Sequence, residues 1–127
     1  MLVLAFLTLA FQTDPPDLLT VESPEHSLHP YLLGEVVNLF RKLSRGELGS
    51  KATQVVVATH SAELLEFVRP EEVRFVSRDL TTGETIVRAA PVGTDDFKRA
   101  WAEYDESLGE LWLSGGLGGV PAPVDGA

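Results

Sequence analysis

Two short apolar segments separated by one helical segment limit the folds open to this chain. Residues 18–21 and residues 54–58 are apolar runs without the strict alternation of a half-buried strand. Such runs are typical of strands buried on both faces, as in a parallel sheet. Between them, Pro30 begins a stretch in which apolar side chains recur at helical spacing up to residue 43. Strand, helix and strand with a long crossover predict an α/β layer fold with a mainly parallel sheet.

The segments on either side of this unit predict flanking helices and a C-terminal β-hairpin. Residues 2–11 are almost entirely apolar and predict a helix buried on most of its faces. They lack the basic start of a secretory signal and are shorter than the ~20 apolar residues of a bilayer span, so no membrane association is expected. A short helix is predicted at 62–68, and strands at 72–77 and 84–89 predict the hairpin. A last helix is predicted to start at residues 94–96. Four of its residues lie on one face: Phe97, Trp101, Tyr104 and Leu108.

The composition excludes several classes of protein. Of the 127 residues, 44% are hydrophobic, which is enough for a folded core. The 10 basic and 19 acidic residues give a net charge of −9, so direct nucleic-acid binding is not expected. The sequence has no cysteine, which excludes disulfides and thiolate metal sites and fits a cytoplasmic protein.

Both predicted parallel strands end on a polar residue, Glu22 after the first and His60 after the second. In open parallel sheets, ligands bind outside the carboxyl ends of the strands. A carboxylate at that edge can hold Mg²⁺, and an imidazole can orient a phosphate oxygen. Because strand ends are also ordinary places for polar residues, the two side chains could instead simply cap the sheet.

Three strings add a resemblance to a known family. Residues 19–30 read LTVESPEHSLHP and resemble the Walker B and D-loop stretch of ABC-type ATPases, most of all the RecF/SMC-like group. Residues 57–65 read VATHSAELL and resemble the switch-histidine segment of that group, and residues 107–121 resemble its closing segment. The resemblance implies that residues 1–108 are the C-terminal part of an ABC/SMC-like ATPase domain with a partial P-loop NTPase fold, followed by a Gly/Pro-rich tail at 109–127.

The resemblance also implies roles for single residues. Glu22 corresponds to the Walker B acid that holds Mg²⁺ beside ATP, and His60 to the switch histidine that contacts the γ-phosphate. Residues 27–29 correspond to the D-loop, which touches the opposing subunit. Ser23 lies in the nucleotide site at the place of the glutamate that polarises the attacking water, and a hydroxyl is too weak a base to replace it. Either hydrolysis is slow or Glu25 substitutes as the base.

The sequence lacks the phosphate-binding loop G-x-x-x-x-G-K-[ST] and the ABC signature. ATP and Mg²⁺ are therefore expected to bind only together with the missing N-terminal portion. The expected partner is that N-terminal ATPase half or a homologous subunit, and a homodimer stays open. The isolated chain is expected to be inactive.

Two alternatives remain open at the level of sequence. The chain could be a non-catalytic interaction subunit that completes the sheet of another ATPase chain. It could also be a metal-dependent hydrolase, with ligands drawn from a set of five residues: Glu22, Glu25, His26, His29 and His60.

Overall fold

The computed structural model describes residues 2–118, and it divides the chain into two compact units. The first unit ends at Phe67 and the second begins at Val68. The last part of the predicted tail, residues 119–127, lies outside the described residues. In the part of the chain that is described, no helix is long and apolar enough to cross a membrane.

The first unit is a small α/β layer. Its elements are α1 (Leu2–Ala10), β1 (Leu18–Glu22), a 3-10 turn (Pro24–Ser27), α2 (Pro30–Ser44), β2 (Gln54–Ala58) and α3 (Ala62–Leu65). The strands pair in parallel, with Leu18 opposite Gln54 and Glu22 opposite Ala58. The predicted strand–helix–strand arrangement with a parallel sheet is therefore confirmed.

The sequence of α2 explains both its limits and its orientation. Pro30 stands in the first turn, where a missing N–H costs nothing, and the ring nitrogen Nδ1 of His29 accepts a hydrogen bond from the Tyr31 N–H. Basic residues in the last turn stabilise the helix, because positive charge interacts favourably with the C-terminal end of the helix dipole. The buried side chains of α2 follow the predicted helical spacing: Leu33, Val36, Val37, Phe40 and Leu43.

The core of this unit lies between the two longer helices and one face of the sheet. Phe6 and Ala10 of α1 pack with Val36, Phe40 and Leu43 of α2. The rings of Phe6 and Phe40 meet edge to face, with centroids 4.9 Å apart. The inward side chains of the strands complete the cluster: Leu19, Val21, Val55 and Val57.

The prediction that the strands are buried on both faces is wrong for the described residues. Both strands alternate between exposed and half-buried side chains. Leu18 and Val56 lie on the outer face and are 51% and 49% exposed. The prediction that the first helix is buried on most of its faces is also wrong, because α1 buries Phe6 and Ala10 but leaves Leu4 60% exposed. One layer of helices within the unit covers one face of the sheet only.

The second unit contains the predicted hairpin. After a 3-10 turn (Pro70–Glu72), β3 (Arg74–Arg78) and β4 (Thr85–Ala89) pair antiparallel. In the connecting turn, the Asp79 carboxylate accepts hydrogen bonds from the N–H groups of Thr81 and Thr82. Those bonds lower the pKa of Asp79 from its ordinary value, and the bond from Thr82 has the larger effect.

The last described segment differs from the sequence prediction. α4 (Asp95–Glu103) ends before residue 108, because Asp105 and Glu106 both adopt positive φ angles, 50° and 61°. Leu108 therefore does not extend the face of α4 on which Phe97 and Trp101 stack, and it begins α5 (Leu108–Leu113) instead. The first residues of the expected tail are thus helical. The helix 62–68 is also shorter than predicted and ends at Leu65, since the Phe67 N–H bonds to the Leu64 carbonyl, three residues back.

Candidate functional site

The parallel register brings the ends of β1 and β2 to one edge of the sheet. Glu22 pairs with Ala58, and the next N–H, that of Ser23, donates to the Ala58 carbonyl at 2.7 Å. His60 follows two residues after Ala58. Glu22 and His60 are both exposed, as side chains that meet a ligand from solvent must be. The sequence prediction that they share this edge is confirmed, whereas their roles remain predictions.

Ser23 turns the chain sharply as it leaves the sheet. Its backbone is left-handed, with φ 46° and ψ 56°, a conformation that is unfavourable for a residue with a side chain. Pro24 follows and is almost completely buried, which fixes the start of the 3-10 turn. This turn directs the next residue, Glu25, toward the segment that follows β2.

A hydrogen-bonded chain connects the two segments beyond the strands. The Thr59 hydroxyl donates to Oε1 of Glu25 at 2.8 Å and accepts the Ser61 N–H at 3.0 Å. The Ser61 hydroxyl in turn accepts the Leu64 N–H at 3.2 Å and caps α3. The second carboxylate oxygen of Glu25, Oε2, is buried and has no hydrogen-bond partner. Sequence reasoning missed Thr59, because no pattern in the sequence indicates a bond between positions 34 residues apart.

The candidate ligands of the metal-hydrolase hypothesis do not form a metal site. His29 caps α2 through Nδ1 and stacks on Tyr31, with ring centroids 5.1 Å apart. Across residues 2–118, no group of three or more histidine and carboxylate side chains is arranged to hold a metal ion. A single exposed carboxylate such as Glu22 instead suits Mg²⁺ that arrives with a nucleotide, because Mg²⁺ commonly takes one or two carboxylates and completes its shell with phosphates and water.

A parallel α/β layer with polar residues at the carboxyl edge is the architecture of many nucleotide-binding proteins. Residues 1–66, just over half of the 127, match the family described as AAA domain, putative AbiEii toxin, Type IV TA system. The chain therefore belongs to this family of AAA domains, within the P-loop ATPases. The family indicates an ATPase-like fragment and, in general, dependence on nucleotide and Mg²⁺. Neither a curated protein nor a solved structure matches the chain.

Proposed function

We propose that residues 1–108 are the C-terminal part of an ABC/SMC-like ATPase domain of the RecF type. In this proposal the chain supplies Glu22 and His60 to an ATP–Mg²⁺ site whose phosphate-binding loop and signature lie outside its sequence. The observation that supports it best is the parallel register of β1 and β2, which puts both residues at one edge of the sheet. The family match adds the P-loop ATPase class.

Each residue of the edge has a part in this proposal. Glu22 holds Mg²⁺, which neutralises charge on the nucleotide phosphates when it is bound. The His60 imidazole contacts an oxygen of the terminal phosphate. The Ser23 hydroxyl can bind water or a phosphate oxygen but cannot accept a proton efficiently near neutral pH, so hydrolysis is slow. ATP then acts mainly as a clamp between two domains, and its hydrolysis releases them.

The outer face of the sheet favours a partner chain. Within the described residues, β1 pairs only with β2, and Leu18 and Val56 are exposed on the uncovered face. Parallel sheets are normally covered on both faces. This observation favours a second candidate function, that of a non-catalytic subunit that completes the sheet of another ATPase chain. The partner is an N-terminal ATPase half, a homologous subunit or a second copy, and cytoplasmic location without direct DNA contact stays part of the proposal.

Calorimetric titration with Mg-ATP tests whether the ATP site is shared between this chain and a second polypeptide that carries the P-loop. The isolated chain is expected to bind ATP more weakly than about 0.1 mM, because the backbone cradle and lysine of the P-loop are absent from its sequence. Micromolar binding by the chain alone would sink the proposal. With a P-loop partner added, Glu22→Gln is expected to weaken Mg-dependent ATP binding at least about tenfold. Partner binding that is unaffected by ATP and by Glu22→Gln would favour the interaction subunit.

A further inference from the structure

Beyond the last ladder bond of the sheet, a side-chain hydrogen bond connects the segment after β1 with the segment after β2. It joins the Thr59 hydroxyl to Oε1 of Glu25 at 2.8 Å, the ordinary length of a bond between a hydroxyl and a carboxylate. His60 is the neighbour of Thr59 and is exposed at the edge of the sheet. We propose that Glu25 is a positioning residue: through Thr59 it fixes residues 59–61 and thereby orients His60.

The hydroxyl of Thr59 is held from two sides. A hydroxyl offers one donor and two acceptor positions. Thr59 uses the donor on Glu25 and accepts the Ser61 N–H at 3.0 Å, so a rotation of its side chain breaks both bonds at once. Since Ser61 also caps α3, the bonds form a continuous path from the turn after β1 to the first turn of that helix. His60 lies on the segment between the two fixed residues.

The same geometry is unsuited to Glu25 as a general base. A base must reach the water whose proton it takes. Oε1 is occupied by Thr59, and Oε2 is buried, with almost no surface accessible to incoming water. Proton abstraction by Glu25 would require the turn to open and the bond to Thr59 to break. The importance of this positioning for ATP binding rests on the proposed function of His60. The hydrogen bond between Thr59 and Glu25 is independent of that proposal.

Amide hydrogen exchange of the full chain, followed by NMR without nucleotide, tests the inference. Thr59→Val keeps the shape of the side chain and removes its hydroxyl, whereas Thr59→Ser is the matched control that keeps the hydroxyl. Thr59→Val is expected to lower the protection of the Ser61 amide about tenfold and to shift the His60 ring resonances, while Thr59→Ser stays within about twofold of wild type. The reference is the Gln54 amide, which bonds to the Asp17 carbonyl and should not change.

A second substitution makes the test independent of Thr59. Glu25→Ala removes the acceptor and is expected to reproduce the Ser61 and His60 changes of Thr59→Val. The double variant should then add little to either single one. Unchanged Ser61 protection and His60 resonances in Glu25→Ala would overturn the positioning role. A matching loss at the Gln54 amide in both Glu25→Ala and Thr59→Val would overturn it too, because the bond would then stabilise the unit as a whole. Both results are independent of ATP binding, so they separate this inference from the proposed function.

Discussion

Gly49 lies where the chain between α2 and β2 passes the end of α1, and it is expected to tolerate no side chain. Its φ is 77°, and a Cβ added there would lie 2.0 Å from the carbonyl oxygen of Ala10. Real Cβ contacts stay above 3.0 Å, so the two backbones would have to separate by about 1 Å. Neither atom belongs to a flexible side chain, so the shift would move α1 away from the core.

The free energy of unfolding lost in Gly49→Ala has two parts. The left-handed backbone costs a non-glycine residue about 1–2 kcal/mol. Overpacking against a fixed neighbour adds about 1–3 kcal/mol. Gly46→Ala is the matched control, because Gly46 has a similar φ of 69° and its added Cβ would lie 3.2 Å from the nearest atom, the Ala52 nitrogen. We expect a loss of about 1 kcal/mol in Gly46→Ala and of about 3 kcal/mol in Gly49→Ala.

Urea unfolding followed by far-UV circular dichroism measures this difference. Tryptophan fluorescence is unsuitable, because both tryptophans, Trp101 and Trp112, lie in the second unit. If Gly49→Ala loses no more stability than Gly46→Ala, the close approach to Ala10 does not limit this position and the reasoning fails.

Two further predictions concern one unit each. Phe40→Ala should cost about 3–5 kcal/mol, because Phe40 is buried against Phe6. Phe40→Leu fills most of the same volume and should cost clearly less; equal losses of the two variants in urea unfolding would contradict the reasoning from buried volume. The turn at Asp79 should lose hydrogen-bond support in acid. Since its folded pKa is lowered, the support is complete above the ordinary value of 3.8 and is lost as the pH falls through the lower folded value. The Thr82 amide resonance should report this step, and Asp79→Asn should abolish it.

The sequence best predicts the helices and strands that are indicated by residues close together along the chain. Pro30, the helical spacing and the basic last turn define α2, and the run at 54–58 coincides with β2. The S-x-x-E pattern from Ser107 to Glu110 could have indicated α5, because the Ser107 hydroxyl accepts the Glu110 N–H as a helix cap. The glycines that follow this pattern indicate a loop instead.

The sequence does not predict features that depend on contacts between residues far apart along the chain. The apolar strands predict two covered faces, but burial depends on which elements pack on the sheet, and the residues of the first unit cover only one face. For the candidate site, the order of strands predicts that Glu22 and His60 share an edge. The bond from Thr59 to Glu25 depends on the left-handed turn at Ser23, which no residue pattern required.

The uncovered sheet of the first unit has a consequence for how the chain survives in a cell. Each of its strands leaves one row of backbone N–H and C=O groups without a neighbouring strand among the described residues, next to exposed Leu18 and Val56. Such an edge is a template on which other chains can add strands and aggregate. The partner chain of the proposed function would cover this edge. On that proposal we expect newly made chain to persist in proportion to the amount of partner, because proteolysis and chaperones remove chains whose sheet stays uncovered.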